Sequence, residues 1–283
     1  MQDAAPGAKV NAGRFLRARV PRSGPGPALL SPPHRCRTRA VEAVEYQLMD
    51  EAEDGLWWYR ALHARVLDVL DPRRAGEPVL DAGCGTGGFL MRLRQARPDR
   101  RAVGLEFNPE AAARARAKAG VHVAVGSVNA VPFADSAFGG VVSLDVLCHT
   151  AAEPDRALAE FRRVLRPGGL LVLNLPAFQW LYSAHDIRVH TKQRFTAEGV
   201  RALLAAAGFS EIRTRYWNSL LFPLMVLQRK VLARGGDSPS DVSLPPPWLN
   251  RSLHAATGLE RRAAAAGLRF PAGGSVLATA VRA

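Results

Sequence analysis

The chain has 283 residues, a net charge of +13, 48 % hydrophobic and 22 % charged residues. These are globular proportions, which excludes wholesale disorder, and a chain this long can bury a full core without disulfide staples. Three cysteines, Cys36, Cys84 and Cys148, stand far apart with no CxxC pair, which excludes a disulfide scaffold and a four-cysteine zinc site. No metal is expected. The longest apolar run, Leu220–Leu227, has eight residues and contains Pro223, far short of the ~20 needed to cross a bilayer. With no secretory segment at the N-terminus, a cytoplasmic protein is expected.

The charge is uneven. Residues 1–40 carry +7, residues 41–160 carry −5, and residues 161–283 carry +11. A basic tail and a basic C-terminal half predict an anionic partner: phosphate groups, nucleic acid or an anionic membrane surface. Residues 1–40 are rich in Pro, Gly, Ala and Arg without hydrophobic period, and read as a disordered basic extension.

Periodic sequence begins near Val41, and 41–72 reads as an N-terminal helical lid. Its adjacent Trp57, Trp58 and Tyr59 cannot all face one core, so at least one is expected at a ligand, with Trp58 assigned to the acceptor. Strand-like and helix-like runs then alternate. Strands are expected at Pro78–Asp81, Ala102–Glu106, His122–Gly126, Gly140–Leu144, Leu170–Leu175, Glu211–Tyr216 and Ser275–Val281. Helices are expected at Gly88–Arg97, Pro109–Lys118, Glu153–Leu165 and from Thr196 to about Ala207, where Gly208 stops the last. This alternation predicts an α/β fold, a parallel sheet with helices on both faces. Leu220 to Leu232 is apolar with a basic end. Trp248–Ala265 reads as an amphipathic helix with Leu249, Leu253, Ala256 and Leu259 on one side.

The strongest motif is Val79–Leu80–Asp81–Ala82–Gly83–Cys84–Gly85–Thr86–Gly87–Gly88–Phe89. A strand runs into glycines that open a helix, leaving free N–H groups for a ligand. Gly83, Gly85 and Gly88 also satisfy the dinucleotide fingerprint, so the loop alone does not name its ligand. Glu106 ends the next strand, where a carboxylate accepts from ribose hydroxyls. Phe107 follows and can stack on an adenine. Cys84 is expected to contribute its backbone only.

Four blocks in order then carry a resemblance: VLDAGCGTGGF at Val79–Phe89, GLE at Gly104–Glu106, GSVNAVPFADSAFGGVVSLDVLCHT at Gly126–Thr150 and RVLRPGGLLVL at Arg163–Leu173. Together they resemble the class I, Rossmann-like S-adenosylmethionine-dependent methyltransferases, in the type-11 branch that includes quinone-biosynthesis enzymes. The resemblance covers roughly residues 75–215. It implies a seven-stranded sheet, mostly parallel, with an antiparallel last strand, and S-adenosyl-L-methionine as cofactor. It places Asp81, Gly83, Cys84, Gly85, Thr86, Gly87, Glu106, Phe107, Ser127, Val128 and Leu144 around that cofactor. Many relatives carry Asp where this chain has Ser127, so adenine is expected to be held by the Ser127 hydroxyl, nearby backbone and Phe107. One methyltransferase domain is expected over 41–283, with the cofactor core at 75–175 and acceptor-site elements at 176–270.

Two segments offer chemistry. His149, in Asp145–Val146–Leu147–Cys148–His149, follows the fourth strand and resembles a histidine common in relatives; it reads as a base or as a structural hydrogen-bonding group. Asp145 reads as a cofactor neighbour or a turn residue. The segment Tyr182–His190 holds His185, Asp186, Arg188 and His190, with Arg194 just beyond. An Asp beside a His can raise its basicity, and arginines can clamp a phosphate. His185, Asp186, His190 and His149 are the expected catalytic set; Tyr182, Arg188 and Arg194 are expected at the acceptor. The absence of an Asp/Asn-Pro-Pro-Tyr/Phe motif argues against exocyclic or amide nitrogen as target. The expected activity is methylation, by preference on oxygen, of a small-molecule, glycan or lipid-linked acceptor. Leu220–Arg234 reads as a core helix with a charged end or as an interfacial segment giving peripheral contact with an anionic membrane at its inner face. Nucleic acid stays an alternative partner for the basic half, and a non-catalytic cofactor-binding relative an alternative identity.

Overall fold

All four residues of strand β1, Val79–Ala82, are buried, as an interior parallel strand covered on both faces requires. The structure, a computed structural model, describes residues 50, 52–70, 77–230 and 244–283. The expected basic extension at 1–40 and the start of the expected lid lie outside the described residues. Six further strands join β1: β2 (Ala102–Glu106), β3 (His122–Val125), β4 (Phe138–Leu144), β5 (Leu165–Pro176), β6 (Phe209–Trp217) and β7 (Ser275–Arg282). Their order is β3-β2-β1-β4-β5-β7-β6. The strands from β3 to β5 pair in parallel, and β7 inserts antiparallel between β5 and β6. The expected α/β sheet with an antiparallel last strand is therefore present. β5 begins earlier than expected, because Leu165 already pairs with Phe138 across an irregularity before Gly140.

Helices α1 (Trp57–Val69), α2 (Gly88–Ala96), α3 (Pro109–Ala119), α4 (Pro154–Val164), α5 (Ala184–Arg188), α6 (Ala197–Ala206), α7 (Phe222–Lys230) and α8 (Pro247–Ala265) complete the described elements named here. In α4, Ala157, Leu158, Phe161 and Val164 are buried, the helical spacing of a core-facing stripe. Asn108 caps α3 by accepting from the Glu110 and Ala111 amides, and Pro109 holds the first helical position. Thr196 caps α6 through the Gly199 amide.

Strand order reverses between β1 and β4. In such sheets the connections diverge at this point and open a crevice at the carboxyl ends of the two strands. That crevice is bounded by Gly83 after β1 and Asp145 after β4.

Helix α8 keeps Leu249, Leu253 and Ala256 partly covered but turns Leu259 out, 61 % exposed, while Thr257 and Glu260 are buried. The Glu260 carboxylate accepts from the amides of Asn218 (2.8 Å), Ser219 (2.6 Å) and Leu220 (3.0 Å). It also pairs with buried Arg65 at 3.2 Å. A charged group thus orients α8, because its lone pairs are satisfied by the turn after β6 and by Arg65. Arg65 in turn lies over the Trp217 ring at 4.7 Å. Replacing Glu260 with Ala leaves Arg65 buried without this counterion, and a loss of about 3–5 kcal/mol is expected in urea denaturation. Replacing Arg261, whose bidentate pair with Asp68 is solvent-exposed, is expected to cost less than about 1 kcal/mol.

Candidate functional site

The turn leaving β1 runs through Gly83 and Gly87, both with positive φ (85° and 92°). A Cβ on Gly83 would come within 2.3 Å of Val146 Cγ2, and one on Gly87 within 2.8 Å of the Ala115 Cα. The Val146 side chain and the α3 backbone at Ala115 therefore press on this turn and leave no room for a side chain at either glycine. Glu106, at the end of β2, is pinned over it. One carboxylate oxygen accepts from the Gly85 amide and the other from the Asn108 amide, each at 2.9 Å. Each oxygen keeps a lone pair for a further donor. Phe107 beside it is 68 % exposed, its ring face open. Ser127 Oγ accepts from the Asn129 amide at 3.1 Å, with Val128 buried next to it. Cys84 donates its N–H to the Leu105 carbonyl at 3.0 Å, and burial raises its thiol pKa.

Two more carboxylates crowd the same turn. Asp81 is buried, and its Oδ1 has no hydrogen-bond partner. Burial, then the charges of Glu53 and Glu106, push its pKa well above the usual carboxylate range. Glu53 is also buried. It accepts from the Thr86 hydroxyl and from the Gly88 amide at 2.5 Å, and pairs with Lys118 at 3.0 Å. Burial raises its pKa despite these partners. Sequence reading did not single out Glu53; it lies 35 residues before its partner amide and in no motif. Three buried carboxylates thus surround one glycine turn. The donor set suits a ligand with hydroxyls for Glu106 and positive charge for Asp81.

Across the crevice, Asp145 sits just past β4 with φ 54°. Its two carboxylate oxygens accept from Asn174 Nδ2 at 3.1 and 3.0 Å. The Asn174 carbonyl oxygen accepts from Trp217 Nε1 at 2.7 Å, which sets the amide's orientation. Burial pushes the Asp145 carboxyl up to about 7, against the Asn174 hydrogen bond and the Arg194 charge. Tyr59 of α1 packs against His63, ring centroids 6.1 Å apart, and burial, then the charges of Glu53 and Asp145, raise its phenol pKa. Trp58 stacks on Trp217, ring centroids 5.9 Å apart, among the partly buried residues of the core behind the sheet edge. The structure gives Trp58 a packing partner where an acceptor contact was expected.

The two chemistry-bearing segments are stitched together. His149 bridges Thr191, and the Thr150 and Lys192 amides bond the His190 and Cys148 carbonyls at 3.1 and 2.7 Å. Burial lowers the His149 pKa and keeps the ring neutral near pH 7. Asp186 and Arg194 are committed to the loop itself. The Asp186 carboxylate accepts from the Ser183 amide (2.9 Å) and pairs with Arg194 (2.8 Å) and Arg229 (3.1 Å). Burial opposes its ionisation, but the two arginines outweigh it and hold its pKa low. Arg194 also donates to the Ala177 carbonyl, and the Tyr182 hydroxyl donates to the Thr191 carbonyl at 2.8 Å. These three groups, expected at acid–base or acceptor positions, hold the loop's shape. His185 and Arg188 lie on α5, and His190, with φ 56°, just after it.

The comparisons agree with this architecture. Residues 80–173 match a family model described as a methyltransferase domain. The chain is 33 % identical over 195 residues to the demethylmenaquinone methyltransferase of Thermus thermophilus, spanning 58 % of this chain and 86 % of that protein. It is 36 % identical over 129 residues to a 24-methylenesterol C-methyltransferase of rice, 43 % of this chain and 34 % of that one. The chain spans about a third of the length of the first curated relatives it matches. A solved S-adenosylmethionine-dependent methyltransferase from Thermotoga maritima superposes with a TM-score of 0.55 at 18 % identity, covering 84 % of this chain and 99 % of that one. A glycine turn under three buried carboxylates, at the switch point of a seven-stranded sheet with this strand order, sits in sequence that matches such enzymes. The chain belongs to the class I, Rossmann-like family of S-adenosylmethionine-dependent methyltransferases.

Proposed function

We propose that the protein methylates an oxygen of a small-molecule, glycan or lipid-linked acceptor, with Asp145 as the general base. The observation that carries this reading is the Asp145 carboxyl itself. It is held at the carboxyl end of β4 by Asn174 and lifted by burial to about 7, a value matched to proton transfer near neutral pH. Glu106 and the Gly83–Gly87 turn hold the cofactor's ribose and amino-acid portions, Asp81 faces its positive charge, and Phe107 with Ser127 receives the adenine. When bound, S-adenosyl-L-methionine supplies a methyl group on a sulfonium for in-line displacement. Asp145 takes the acceptor's hydroxyl proton. His149, His185, His190 and Arg188 border the acceptor from the stitched loops. The names of the sequence relatives specify carbon as the methylated atom in sterol and quinone enzymes. A carbon acceptor that loses a proton would use the same carboxylate.

Replacing Glu106 with Ala is expected to weaken cofactor binding by about 1–3 kcal/mol, measured by titration calorimetry; unchanged affinity would remove the ribose contact. Replacing Asp145 with Asn is expected to lower kcat by about 10²- to 10⁴-fold with little change in the cofactor's Kd. The wild-type rate should rise with pH through about 7, because the base works deprotonated, and this limb should vanish in the variant. If His185→Ala removes the limb and Asp145→Asn leaves it, the base lies in the second loop. The raised Asp81 pKa also links a proton to cofactor binding. A cation stabilises its ionised form, so cofactor affinity should increase as pH rises above the ordinary carboxylate range, and Asp81→Asn should flatten that dependence.

A further inference from the structure

Helix α7 is apolar on both sides. Its inward side, with Phe222, Met225 and Val226, is partly covered; the Phe222 ring packs against Phe178 and Trp180 at 5.7 and 6.1 Å. The other side carries Leu224 and Leu227, 53 % and 47 % exposed, with Leu220, 46 % exposed, one turn before. Leu224 and Leu227, three residues apart, share one side of the helix, and Leu220 stands in the turn that leads into it. No residue of α7 is fully buried, so the stripe is not the core-facing side of a globular helix, where apolar and polar sides separate.

Its surroundings are basic. Arg229 reaches across to α5, donating to Ser183 Oγ at 3.0 Å and pairing with Asp186 at 3.1 Å, which fixes α7 beside the loop after β5. Lys230 lies over the half-exposed ring of Trp180 at 5.9 Å, and exposed Ile187 stands next to Asp186. Asp186, the single acid of residues 179–194 and 220–230, is taken up by Arg194 and Arg229, so the cations beside the leucines are exposed Lys192 and Lys230 and half-buried Arg188. Apolar side chains flanked by cations and an interfacial tryptophan match the boundary of an anionic bilayer, where apolar burial and attraction to acidic headgroups add.

We propose that the Leu220–Leu224–Leu227 stripe, with Trp180 and Lys230, seats the protein peripherally on an anionic lipid surface. The seat lies beside the loop that borders the candidate acceptor site, so a lipid-borne acceptor would arrive next to it, but the binding itself does not depend on the acceptor's identity or on methyl transfer.

The test mixes the full chain with vesicles of phosphatidylcholine and phosphatidylglycerol, or of phosphatidylcholine alone, and measures co-sedimentation. Brominated acyl chains in the same vesicles quench tryptophans that reach the bilayer. Binding and quenching are expected with the acidic vesicles, weakened by salt and by omitting phosphatidylglycerol. The double variant L224E/L227E should bind about tenfold or more weakly, and W180F should lose much of the quenching. A folding check by circular dichroism accompanies both, and the milder L224S/L227S pair replaces the first if it unfolds. Vesicle binding that the leucine variants leave intact would overturn the proposal and move the contact to another basic segment. So would a concentration-dependent doubling of mass abolished by L224E/L227E without vesicle binding, which makes the occupant a second copy. Absence of any vesicle binding would overturn it outright.

Discussion

Three buried carboxylates held around one glycine turn set the electrostatics of this protein. Asp81, Glu53 and Glu106 are each buried, and burial pushes each toward its neutral form. Among the described residues, Lys118 pairs with Glu53 alone of the three. Glu106 is relieved by backbone amides, and Asp81 keeps an unpartnered oxygen. Burying such groups costs free energy unless something compensates. A cationic ligand with hydroxyl donors is that compensation, and the cofactor of this family is one.

The same logic governs the opposite wall. Asp145 is half-buried and makes no ion pair among the described residues, and its orientation comes from a neutral amide. Trp217 donates to the carbonyl of Asn174, which forces the Asn174 amino group toward Asp145. Trp217 in turn packs between Trp58 and the Arg65 guanidinium, and Arg65 is held by Glu260 of α8. A chain of contacts thus runs from the C-terminal helix through α1 and the sheet to the carboxyl edge. Helices α1 and α8 reach the Asp145 carboxylate through Trp217 and Asn174.

The loop after β5 uses its charges inwardly. Asp186, Arg194 and Arg229 form a buried cluster that joins α5 to α7. Paired charges of this kind leave little free electrostatic capacity for a ligand, since each group is already solvated by its partner. The consequence is a rigid platform carrying His185, Arg188 and His190, with the leucine stripe of α7 beside it. The cluster explains how a helix with no fully buried residue keeps its place.

Sequence alone determined the order of elements, the glycine turn and Glu106. These rest on local physics: alternation of period, positive φ that glycine permits, and a carboxylate at a strand end one crossover away. It could not determine Glu53, Asn174 or Trp217, which meet the site across separations of 35, 29 and 43 residues. Nor could it tell that Asp186 neutralises two arginines, because a polar cluster reads alike whether its charges face a ligand or one another. The hydrophobic pattern of α8 pointed to Leu259, yet buried Glu260 orients that helix, since satisfying one desolvated carboxylate outweighs covering one leucine. Which charges are paired, and which are left for a ligand, is a property of distance in three dimensions, and only the tertiary structure decided it.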